Sequence, residues 1–342
     1  MKKIIIIGAG AMGSAFAVPC LDNKNDITIV GTYLEDNLIE SINSNNNIHP
    51  VLKTQLPKEI KFERFEKLQN ILNQNVDIIV CGVSSIGIEW FVQQISKSYK
   101  KKIPIVLLTK GLSIVDNELS TLSDKIKNLL EKEGHSEINI SAIKGPCLAA
   151  GLANKMRTGT VIANKNLKES QYLKEIISTS YYSTEISEDI NGIELSGAIK
   201  NIYSMLIGAS EGLSNLKASE EIKSKYFLNT AASLIHRSIS EMVEFVSNYG
   251  GKAETVYGLA GLGDLYVSAI GGRNSLMGKY LGDGYLYKDA KEKFMKNVTV
   301  EGAQLALEIG PILFRELKKD QFPLMFNILE TICNNKKLSI NW

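Results

Sequence analysis

The sequence predicts an α/β fold: an N-terminal, doubly wound and mainly parallel sheet, followed by a C-terminal all-helical domain. Three observations predict it. Residues 1–33 run strand, glycine turn, helix, strand; short apolar runs then alternate with helical segments; and from residue 190 only long helical periodicities remain. A chain of 342 residues is long enough for two domains. We place them at residues 1–189 and 190–342.

The first strand-turn-helix-strand unit is the most specific local pattern. Ile4–Ile7 is a continuous β-branched run, as expected of a parallel strand buried on both faces. The run ends in Gly8-Ala9-Gly10-Ala11-Met12-Gly13, which has the spacing G-x-G-x-x-G. Ser14–Cys20 then reads as a helix and Ile27–Val30 as the next strand.

Each glycine of this turn has its own physical role. Gly8 permits the tight turn, Gly10 lets the backbone approach a diphosphate, and Gly13 lets the helix pack closely on the strand. The free N–H groups and the positive end of the helix dipole suit a bound diphosphate. The pattern therefore predicts that residues 1–189 bind a dinucleotide.

The same residues have an alternative interpretation. Lys2-Lys3 followed by the uncharged run Ile4–Leu21 resembles a secretory signal, and Val18-Pro19-Cys20 resembles a lipoprotein cleavage site. Three glycines and a proline interrupt the run, however, and α/β pattern follows it without a break. We therefore favour the nucleotide turn.

The composition is that of a globular intracellular enzyme. Hydrophobic residues make up 44% and charged residues 22%, with a net charge of +2, so neither nucleic acid nor an anionic membrane is the expected partner. The four cysteines are scattered without a C-x-x-C, and the three histidines lack metal-ligand spacing. We expect no disulfide framework, no metal site and a cytoplasmic location.

Further α/β elements follow the first unit. The predicted strands are Val76–Val83, Ile103–Thr109 and Ile138–Ile143, with Thr160–Ala163 and Tyr181–Ile186 as two more. Helices are predicted over Ile86–Ser98 and Asn117–Glu133, and Asn43–Asn47 reads as a polar loop.

The C-terminal half shows two long apolar stripes at helical spacing. The first comprises Leu195, Ile199, Ile202, Leu206 and Ala209, and the second comprises Leu228, Ala231, Ile235, Ile239, Met242 and Val246. No strand pattern interrupts them, so this half is predicted to be helical.

A nucleotide domain joined to a helical domain predicts a reactive site in the cleft between them. One catalytic candidate is Lys200. It lies opposite the first stripe among small and polar residues: Gly197, Asn201, Ser204 and Gly208. Small residues leave room for a ligand beside the amine. Alternatively, Lys200 is a solvated surface lysine and the small residues serve helix–helix contact.

A second candidate region is rich in glycine. Gly258-Leu259-Ala260-Gly261-Leu262-Gly263-Asp264 is followed by Ser268 and by Gly272-Arg273-Asn274. Such a backbone can approach a ligand closely, and the planar fork of Arg273 suits a phosphate. The alternative is a plain glycine turn with Arg273 in a surface ion pair.

With these motifs in view, the chain resembles the NAD(P)-dependent glycerol-3-phosphate dehydrogenases over nearly its whole length. The matching segments are Gly8–Gly13, Lys110-Gly111-Leu112, Gly145-Pro146, Glu194–Asn201, Asn229–Met242, Gly258–Asp264, Gly272–Asn274 and Val300-Glu301-Gly302. Gly31-Thr32 and His49-Pro50 resemble an archaeal-type branch of that family.

The resemblance implies roles for individual residues. Lys200 would be the general base at the C2 hydroxyl, Lys110 a second cation, and Asp264 the group that positions the hydroxyl or Lys200. The implied substrate contacts are Lys110, Gly145, Cys147, Lys200, Asp264, Ser268, Arg273 and Asn274. The implied cofactor contacts are Gly8, Gly10, Ala11, Met12, Gly13, Thr32, Glu35, Lys110, Ala149, Arg273, Thr299 and Glu301.

Three departures from the family pattern stand out. Lys144 replaces the Ser or Thr that many relatives have before the Gly-Pro pair, and Cys147 replaces a hydroxyl or amide residue. Thr32 stands where an arginine for the NADP 2′-phosphate is common, with Glu35 and Asp36 close behind. Carboxylates there favour NAD over NADP.

The expected activity is therefore NAD(P)-dependent interconversion of sn-glycerol 3-phosphate and dihydroxyacetone phosphate. Supply of the glycerophospholipid backbone and a homodimeric state are further expectations. Two alternatives stay open: a related two-domain reductase of a small carboxylate, of the β-hydroxyacid or ketopantoate type, and a dinucleotide-sensing protein without turnover.

Overall fold

The computed structural model describes residues 1–99, 102–215 and 219–340. The chain divides into two compact units. The first comprises Met1–Lys110 and Thr121–Ile190, and the second comprises Gly111–Ser120 and Asn191–Trp342.

The first unit is built on strands, and the second mainly on helices. The strands are β1 (Lys3–Ile7), β2 (Asp26–Val30), β3 (Ile48–His49), β4 (Thr54–Gln55), β5 (Lys61–Glu63), β6 (Ile78–Cys81), β7 (Pro104–Leu107), β8 (Leu112–Val115), β9 (Glu118–Thr121), β10 (Asn139–Lys144), β11 (Thr158–Ala163) and β12 (Tyr182–Ser187). The helices are α1 (Ala11–Asp22), α2 (Asp36–Ser44), α3 (Leu68–Leu72), α4 (Ile88–Ser96), α5 (Leu122–Lys132), α6 (Ala149–Ala153), α7 (Leu167–Ile177), α8 (Ile190–Asn215), α9 (Glu220–Asn248), α10 (Ala253–Tyr257), α11 (Asp264–Gly271), α12 (Arg273–Gly282), α13 (Tyr287–Phe294), α14 (Glu301–Glu316) and α15 (Pro323–Cys333).

Eight strands form one sheet in the order β12-β11-β10-β7-β6-β1-β2-β5. All neighbouring strands are parallel except β10 and β11. The winding direction reverses between β1 and β6, which is the switch point where a doubly wound sheet binds its ligand. The predicted doubly wound, mainly parallel sheet is confirmed.

Strand β1 is buried on both faces, which explains its uninterrupted β-branched sequence. Ile4 and Ile6 pack in a cluster with helix α1, whereas Ile5 and Ile7 pack in a second cluster with α4 and α5. All four isoleucines have no exposed surface. The residues that resemble a secretory signal thus form an interior strand of the sheet and the helix that follows it.

Two predicted boundaries were wrong. Asn117–Glu133 is not one helix, because Glu118–Thr121 forms β9 and the helix begins only after Thr121, whose side chain caps it. Asp116 and Asn117 both have positive φ, the geometry of a two-residue hairpin turn between β8 and β9. Asn43–Asn47 is not wholly loop, since α2 continues to Ser44.

The second unit is helical, as predicted, with the β8–β9 hairpin added to it. Both helices that carry the predicted apolar stripes are present as α8 and α9. Helix α8 is buried on every side over residues 192–210, so its polar face is packed as well as its apolar stripe. Within the three described segments, no helix is long and apolar enough to cross a membrane.

Candidate active site

The glycine turn between β1 and α1 lies at the switch point of the sheet. Gly8 has a φ of +107°, and a Cβ there would come within 2.8 Å of the Gly82 carbonyl carbon and oxygen. A Cβ on Gly13 would come within 2.5 Å of the Gly8 carbonyl oxygen. Only glycine fits at these two positions, because backbone from a neighbouring segment occupies the space of a side chain.

Gly10 differs from the other two glycines because the space beside it is open. A Cβ there would meet only the Glu35 Oε1 atom, at 3.9 Å. Gly10 precedes α1, a helix of 12 residues that begins without a side-chain cap and without an acidic residue in its first turn. Amide donors and a positive helix end thus face a space that admits an anion.

Glu35 lies next to this turn. Its Oε2 atom accepts hydrogen bonds from the backbone N–H of Ala9 at 3.1 Å and of Thr32 at 2.8 Å. Asp36 points elsewhere, because its Oδ1 atom accepts from the backbone N–H of Phe65 at 3.4 Å. Of the two carboxylates at the end of β2, Glu35 is therefore the one that lies against the glycine turn.

Two lysines join the ends of strands β7 and β10. The Lys110 amine, shortly after β7, donates to the Gly145 carbonyl at 3.3 Å. The Lys144 amine, at the end of β10, donates to the Leu107 carbonyl at 3.2 Å. Lys144 is only 2% exposed. Both cations lie at the carboxyl ends of parallel strands, the edge that binds ligands in such sheets.

The segment after Lys144 carries two further predicted contacts. Cys147 and Ala149 are half-buried, and Ala149 begins the short helix α6. Gly145 has a φ of +143°, and a Cβ there would come within 3.0 Å of the Thr160 Cα atom. The glycine is therefore required by the backbone itself.

None of the four cysteines is in a disulfide. Burial raises the pKa of Cys81 to about 12, and it raises the pKa of Cys20 as well. Neither of these two thiols is a nucleophile at neutral pH. In residues 1–99, 102–215 and 219–340 no cluster of His, Cys, Asp and Glu could hold a metal ion.

In the second unit, Lys200 of α8 forms a buried ion pair with Asp264. The amine and the carboxylate are 2.7 Å apart, and the two side chains are 5% and 4% exposed. Ser268 also contacts the Lys200 amine. Asp264 and Ser268 are one turn apart on α11, so both face the same direction. Lys200 is therefore not the solvated surface lysine of the alternative interpretation.

The glycine-rich segment before Asp264 forms a π-helical turn, Leu259–Gly263. A Cβ on Gly261 would collide with the backbone carbonyl of Val256. π-Helical turns often occur at functional sites because they shift the register of the side chains that follow. Here Asp264 follows directly and points to Lys200.

Asn274 holds three helices together. It is 6% exposed, its Nδ2 donates to the Asn201 Oδ1 at 3.0 Å, and its Oδ1 accepts from the Gly302 N–H at 2.8 Å. Asn201 follows Lys200 on α8, and Gly302 lies in the first turn of α14. A side chain predicted to bind substrate thus also fixes the helix that carries Lys200.

Arg273 lies beside Asn274 at the start of α12 but faces a different partner. It forms an ion pair with Glu301 at 2.7 Å, and the two side chains are 54% and 50% exposed. Thr299, two residues before Glu301, is exposed. Helix α12 follows extended Gly272 and has no side-chain cap, so its N-terminal amides are open to an anion.

At least one of the small residues on α8 has a structural role. A Cβ on Gly208 would collide with Ser275 of α12, and a Cβ on Gly278 of α12 would collide with the Met205 carbonyl. Close helix packing, the alternative weighed for these residues, therefore accounts for Gly208.

Three polar residues were not assigned a site role from the sequence. Lys144 was noted only as a departure from the family pattern, and His49 only as part of a family motif. His49 is fully buried, and its Nε2 atom is 3.0 Å from the Ala9 carbonyl oxygen in the glycine turn. Glu241 is buried as well. Its carboxylate accepts hydrogen bonds from the Tyr203 hydroxyl and from two backbone N–H groups at the start of α15. The available signals were the family motifs that contain His49 and Glu241 and the departure from the family pattern at Lys144.

A doubly wound sheet with an open glycine turn, followed by a helical unit with a buried Lys–Asp pair, defines the class of two-domain dehydrogenases that use a nicotinamide dinucleotide. The sequence also matches the description "NAD-dependent glycerol-3-phosphate dehydrogenase N-terminus" over residues 3–170 and the corresponding "C-terminus" over residues 189–340.

Individual relatives agree with this match. An NADP(+)-dependent glycerol-3-phosphate dehydrogenase of Archaeoglobus fulgidus is 34% identical over 305 residues, which cover 89% of this chain and 87% of the relative. A glycerol-3-phosphate dehydrogenase [NAD(P)+] of Mesoplasma florum is 32% identical over 334 residues, covering 96% and 93%. The crystal structure of a glycerol-3-phosphate dehydrogenase from Coxiella burnetii superimposes with a TM-score of 0.80 at 25% identity, covering 98% and 96%. The chain belongs to the NAD-dependent glycerol-3-phosphate dehydrogenase family, and the resemblance seen in its motifs is confirmed.

Proposed function

We propose that this protein interconverts sn-glycerol 3-phosphate and dihydroxyacetone phosphate with NAD or NADP. The observation that carries the proposal is the buried ion pair of Lys200 and Asp264. A charged amine is costly to bury unless it is paired, and Asp264 and Ser268 hold the Lys200 amine in a fixed position, as acid–base catalysis requires. The identity of the substrate is inferred from the names of the relatives.

Residues 1–189 are proposed as the dinucleotide-binding domain, with the diphosphate on the amides of Gly10, Ala11 and Met12. Gly8 and Gly13 shape the turn. The Glu35 carboxylate, beside Thr32, accepts a hydrogen bond from the ribose 2′-hydroxyl. The remaining proposed cofactor contacts are Lys110, Ala149, Arg273, Thr299 and Glu301. When bound, the nicotinamide ring accepts a hydride from, or supplies it to, C2 of the substrate.

Residues 190–342 are proposed as the substrate-binding domain, with Lys200 as its general acid and base. In oxidation the neutral amine of Lys200 takes the proton of the C2 hydroxyl. In reduction the ammonium returns it to the developing alkoxide. The carboxylate of Asp264 stabilises the ammonium form and holds it in place, Ser268 orients the amine, and Lys110 adds a second positive charge near the reacting oxygen.

The substrate phosphate is proposed to bind at the start of α12. The guanidinium of Arg273 has five N–H donors, so its pairing with Glu301 leaves donors for a phosphate. The amide nitrogen of Asn274 has two N–H donors, of which Asn201 takes one. Gly145 and Cys147 complete the proposed substrate contacts.

The proposed cofactor preference is for NAD. Glu35 is the carboxylate at the glycine turn, and a 2′-phosphate beside it would be repelled. The Archaeoglobus relative is named as NADP(+)-dependent, so the two cofactors must be compared directly.

Cellular context extends the proposal. We place the enzyme in the cytoplasm as a homodimer that supplies the glycerophospholipid backbone, with no nucleic-acid partner and no insertion into the membrane. Size-exclusion chromatography with light scattering tests the dimer.

The activity test is oxidation of NADH or NADPH by the purified protein with dihydroxyacetone phosphate, followed by absorbance. Dihydroxyacetone without phosphate is the matched control, and ketopantoate and β-keto acids test the carboxylate-reductase alternative. Turnover of a carboxylate in preference to the phosphate ester would replace the proposal. Dinucleotide binding without turnover of any of them would support the sensing alternative.

A further inference from the structure

A buried histidine lies directly behind the glycine turn. His49 is the last residue of β3, in the small β3–β4 hairpin, and none of its surface is exposed. Its Nε2 atom is 3.0 Å from the carbonyl oxygen of Ala9. Its Nδ1 atom accepts hydrogen bonds from the backbone N–H groups of Val51 at 3.2 Å and of Leu52 at 3.3 Å.

These contacts determine which nitrogen carries the proton. Nδ1 faces two N–H donors, so it must be the acceptor of a neutral imidazole. Nε2 therefore carries the hydrogen and donates it to the Ala9 carbonyl. The same carbonyl accepts a second hydrogen bond, at 3.0 Å, from the hydroxyl of Ser14.

The orientation of this carbonyl controls an amide that faces the proposed ligand. The Ala9–Gly10 peptide is trans, as are the other described peptide bonds. In a trans peptide the C=O and the N–H point in opposite directions. Because His49 and Ser14 hold the Ala9 carbonyl toward the interior, the Gly10 N–H points the opposite way, away from these two buried side chains.

We propose that His49 is a positioning residue for the cofactor diphosphate. It acts through the Ala9–Gly10 peptide and does not touch the ligand. A hydrogen bond to a charged phosphate requires an amide that is already aimed, since turning the peptide on binding would cost affinity. This inference rests on the proposed dinucleotide site and assigns a role in it to the β3–β4 hairpin.

Two polar substitutions separate the contacts of His49. In His49→Asn the side-chain oxygen can still accept from Val51 and Leu52, but the shorter side chain does not reach Ala9. In His49→Gln the amide nitrogen can reach the Ala9 carbonyl. Asn47→Ala is the matched control, because Asn47 directly precedes β3 and its side chain donates to the Pro57 carbonyl at 3.1 Å, just beyond β4, and not to the glycine turn.

The measurements are the dissociation constants of ADP and of adenosine, with the thermal unfolding temperature of each variant. ADP carries the diphosphate, and adenosine lacks it. We expect His49→Asn to weaken ADP about tenfold, the scale of one hydrogen bond to a charged group, while adenosine is unchanged. His49→Gln should retain most of the ADP affinity, and Asn47→Ala should lose stability without losing ADP affinity.

Two results in His49→Asn overturn the inference. Unchanged ADP affinity in His49→Asn, or equal weakening of ADP and adenosine, would show that His49 has no role specific to the diphosphate. If His49→Asn does not fold, Ser14→Ala decides, because it removes the other donor to the same carbonyl. Selective loss of ADP affinity in Ser14→Ala supports the inference, and unchanged affinity overturns it. A wild-type protein that binds neither ADP nor dinucleotide would overturn the proposed function itself.

Discussion

Lys200 and Asp264 are separated by 64 positions in the chain, yet their charged groups are 2.7 Å apart and buried. A buried ion pair contributes little net stability, because desolvation of two charges offsets their attraction. Removing one partner, in contrast, leaves an uncompensated charge. Variants at this pair will therefore affect both chemistry and folding, and each prediction about it needs a stability measurement beside the rate.

Lys200→Ala should lower turnover on the order of a hundred- to ten-thousand-fold, the usual effect of losing a general acid–base group. The dissociation constant of NADH should stay unchanged, because the glycine turn is intact. Stopped-flow or steady-state rates with dihydroxyacetone phosphate, together with NADH fluorescence titration, measure both, and the thermal unfolding temperature shows whether the variant is folded. Lys279→Ala is the control: Lys279 forms a half-exposed ion pair with Glu211 in the same unit. A Lys200→Ala variant that keeps more than about a tenth of the wild-type rate would remove Lys200 from the acid–base role.

Arg273→Ala should raise the KM for dihydroxyacetone phosphate by about tenfold or more, because a charge-assisted contact to phosphate is lost. The KM for the dinucleotide should change much less. Arg315→Ala provides a matched comparison, since Arg315 is also half-exposed and forms an ion pair of 2.8 Å with Glu316. Unchanged KM and rate in Arg273→Ala would leave the ion pair with Glu301 as its whole role.

We expect cofactor choice to depend on Glu35. We expect a higher kcat/KM for NADH than for NADPH, and a smaller NADH preference in Glu35→Ala. Asp36→Ala is an unusually close control: it removes the same charge one residue away, from a side chain bonded to Phe65 and not to the glycine turn. Measuring both cofactors under identical conditions decides the point. A clear NADPH preference of the wild type would refute the proposed preference.

Truncating the Glu241 side chain should destabilise the protein. Its carboxylate accepts hydrogen bonds from the backbone N–H groups of Leu324 at 2.7 Å and Met325 at 2.9 Å, and from the Tyr203 hydroxyl at 3.0 Å. Glu241→Ala leaves these three donors buried, at a cost of about 3 kcal/mol or more in the free energy of unfolding. Urea denaturation measures it. Glu316→Ala, which removes the partner of the Tyr249 hydroxyl in an exposed setting, should cost about 1 kcal/mol or less.

The same carboxyl makes stability depend on pH. Burial raises the pKa of Glu241 above its ordinary value, outweighing the hydrogen bonds that lower it. The folded state therefore holds this proton more tightly than the unfolded state, whose pKa is about 4.3. Its contribution to stability is full below the unfolded pKa and is lost as pH rises through the folded pKa. Relative to Glu241→Gln, which does not titrate, the wild type should lose stability from pH 4 upward; a difference that is constant or grows with pH contradicts this.

The parts of the fold that the sequence predicted are those set by local pattern. The run Ile4–Ile7 must be buried on both faces, and the glycine spacing of Gly8–Gly13 fits only a tight turn against a neighbouring strand. The β8–β9 hairpin was missed because Leu112–Val115 is short and the following segment continues into a good helix. The adjacent pair Asp116-Asn117 was the available signal, since both residue types tolerate positive φ at a two-residue turn.

The candidate site was predictable only as a set of residues, not as a set of contacts. Local sequence offered no way to see that Asn274 binds Asn201, or that Arg273 pairs with Glu301, because each contact joins distant parts of the chain. His49 was hardest to interpret. A buried histidine in a short hairpin resembles an ordinary core residue until the carbonyl it faces is known.

The hairpin of residues 111–120 limits where this chain can be recombined with a relative or cut into stable fragments. The chain passes between its two units three times, after Lys110, Ser120 and Ile190. Leu112 is buried in the helical core, and the Asn117 carbonyl accepts a hydrogen bond from Arg315. Recombination at residue 190 would therefore transfer a helical half that lacks part of its own interior. We therefore expect recombination between relatives to exchange the two units together. A stable fragment of the second unit should need residues 111–120 joined to residues 191–342.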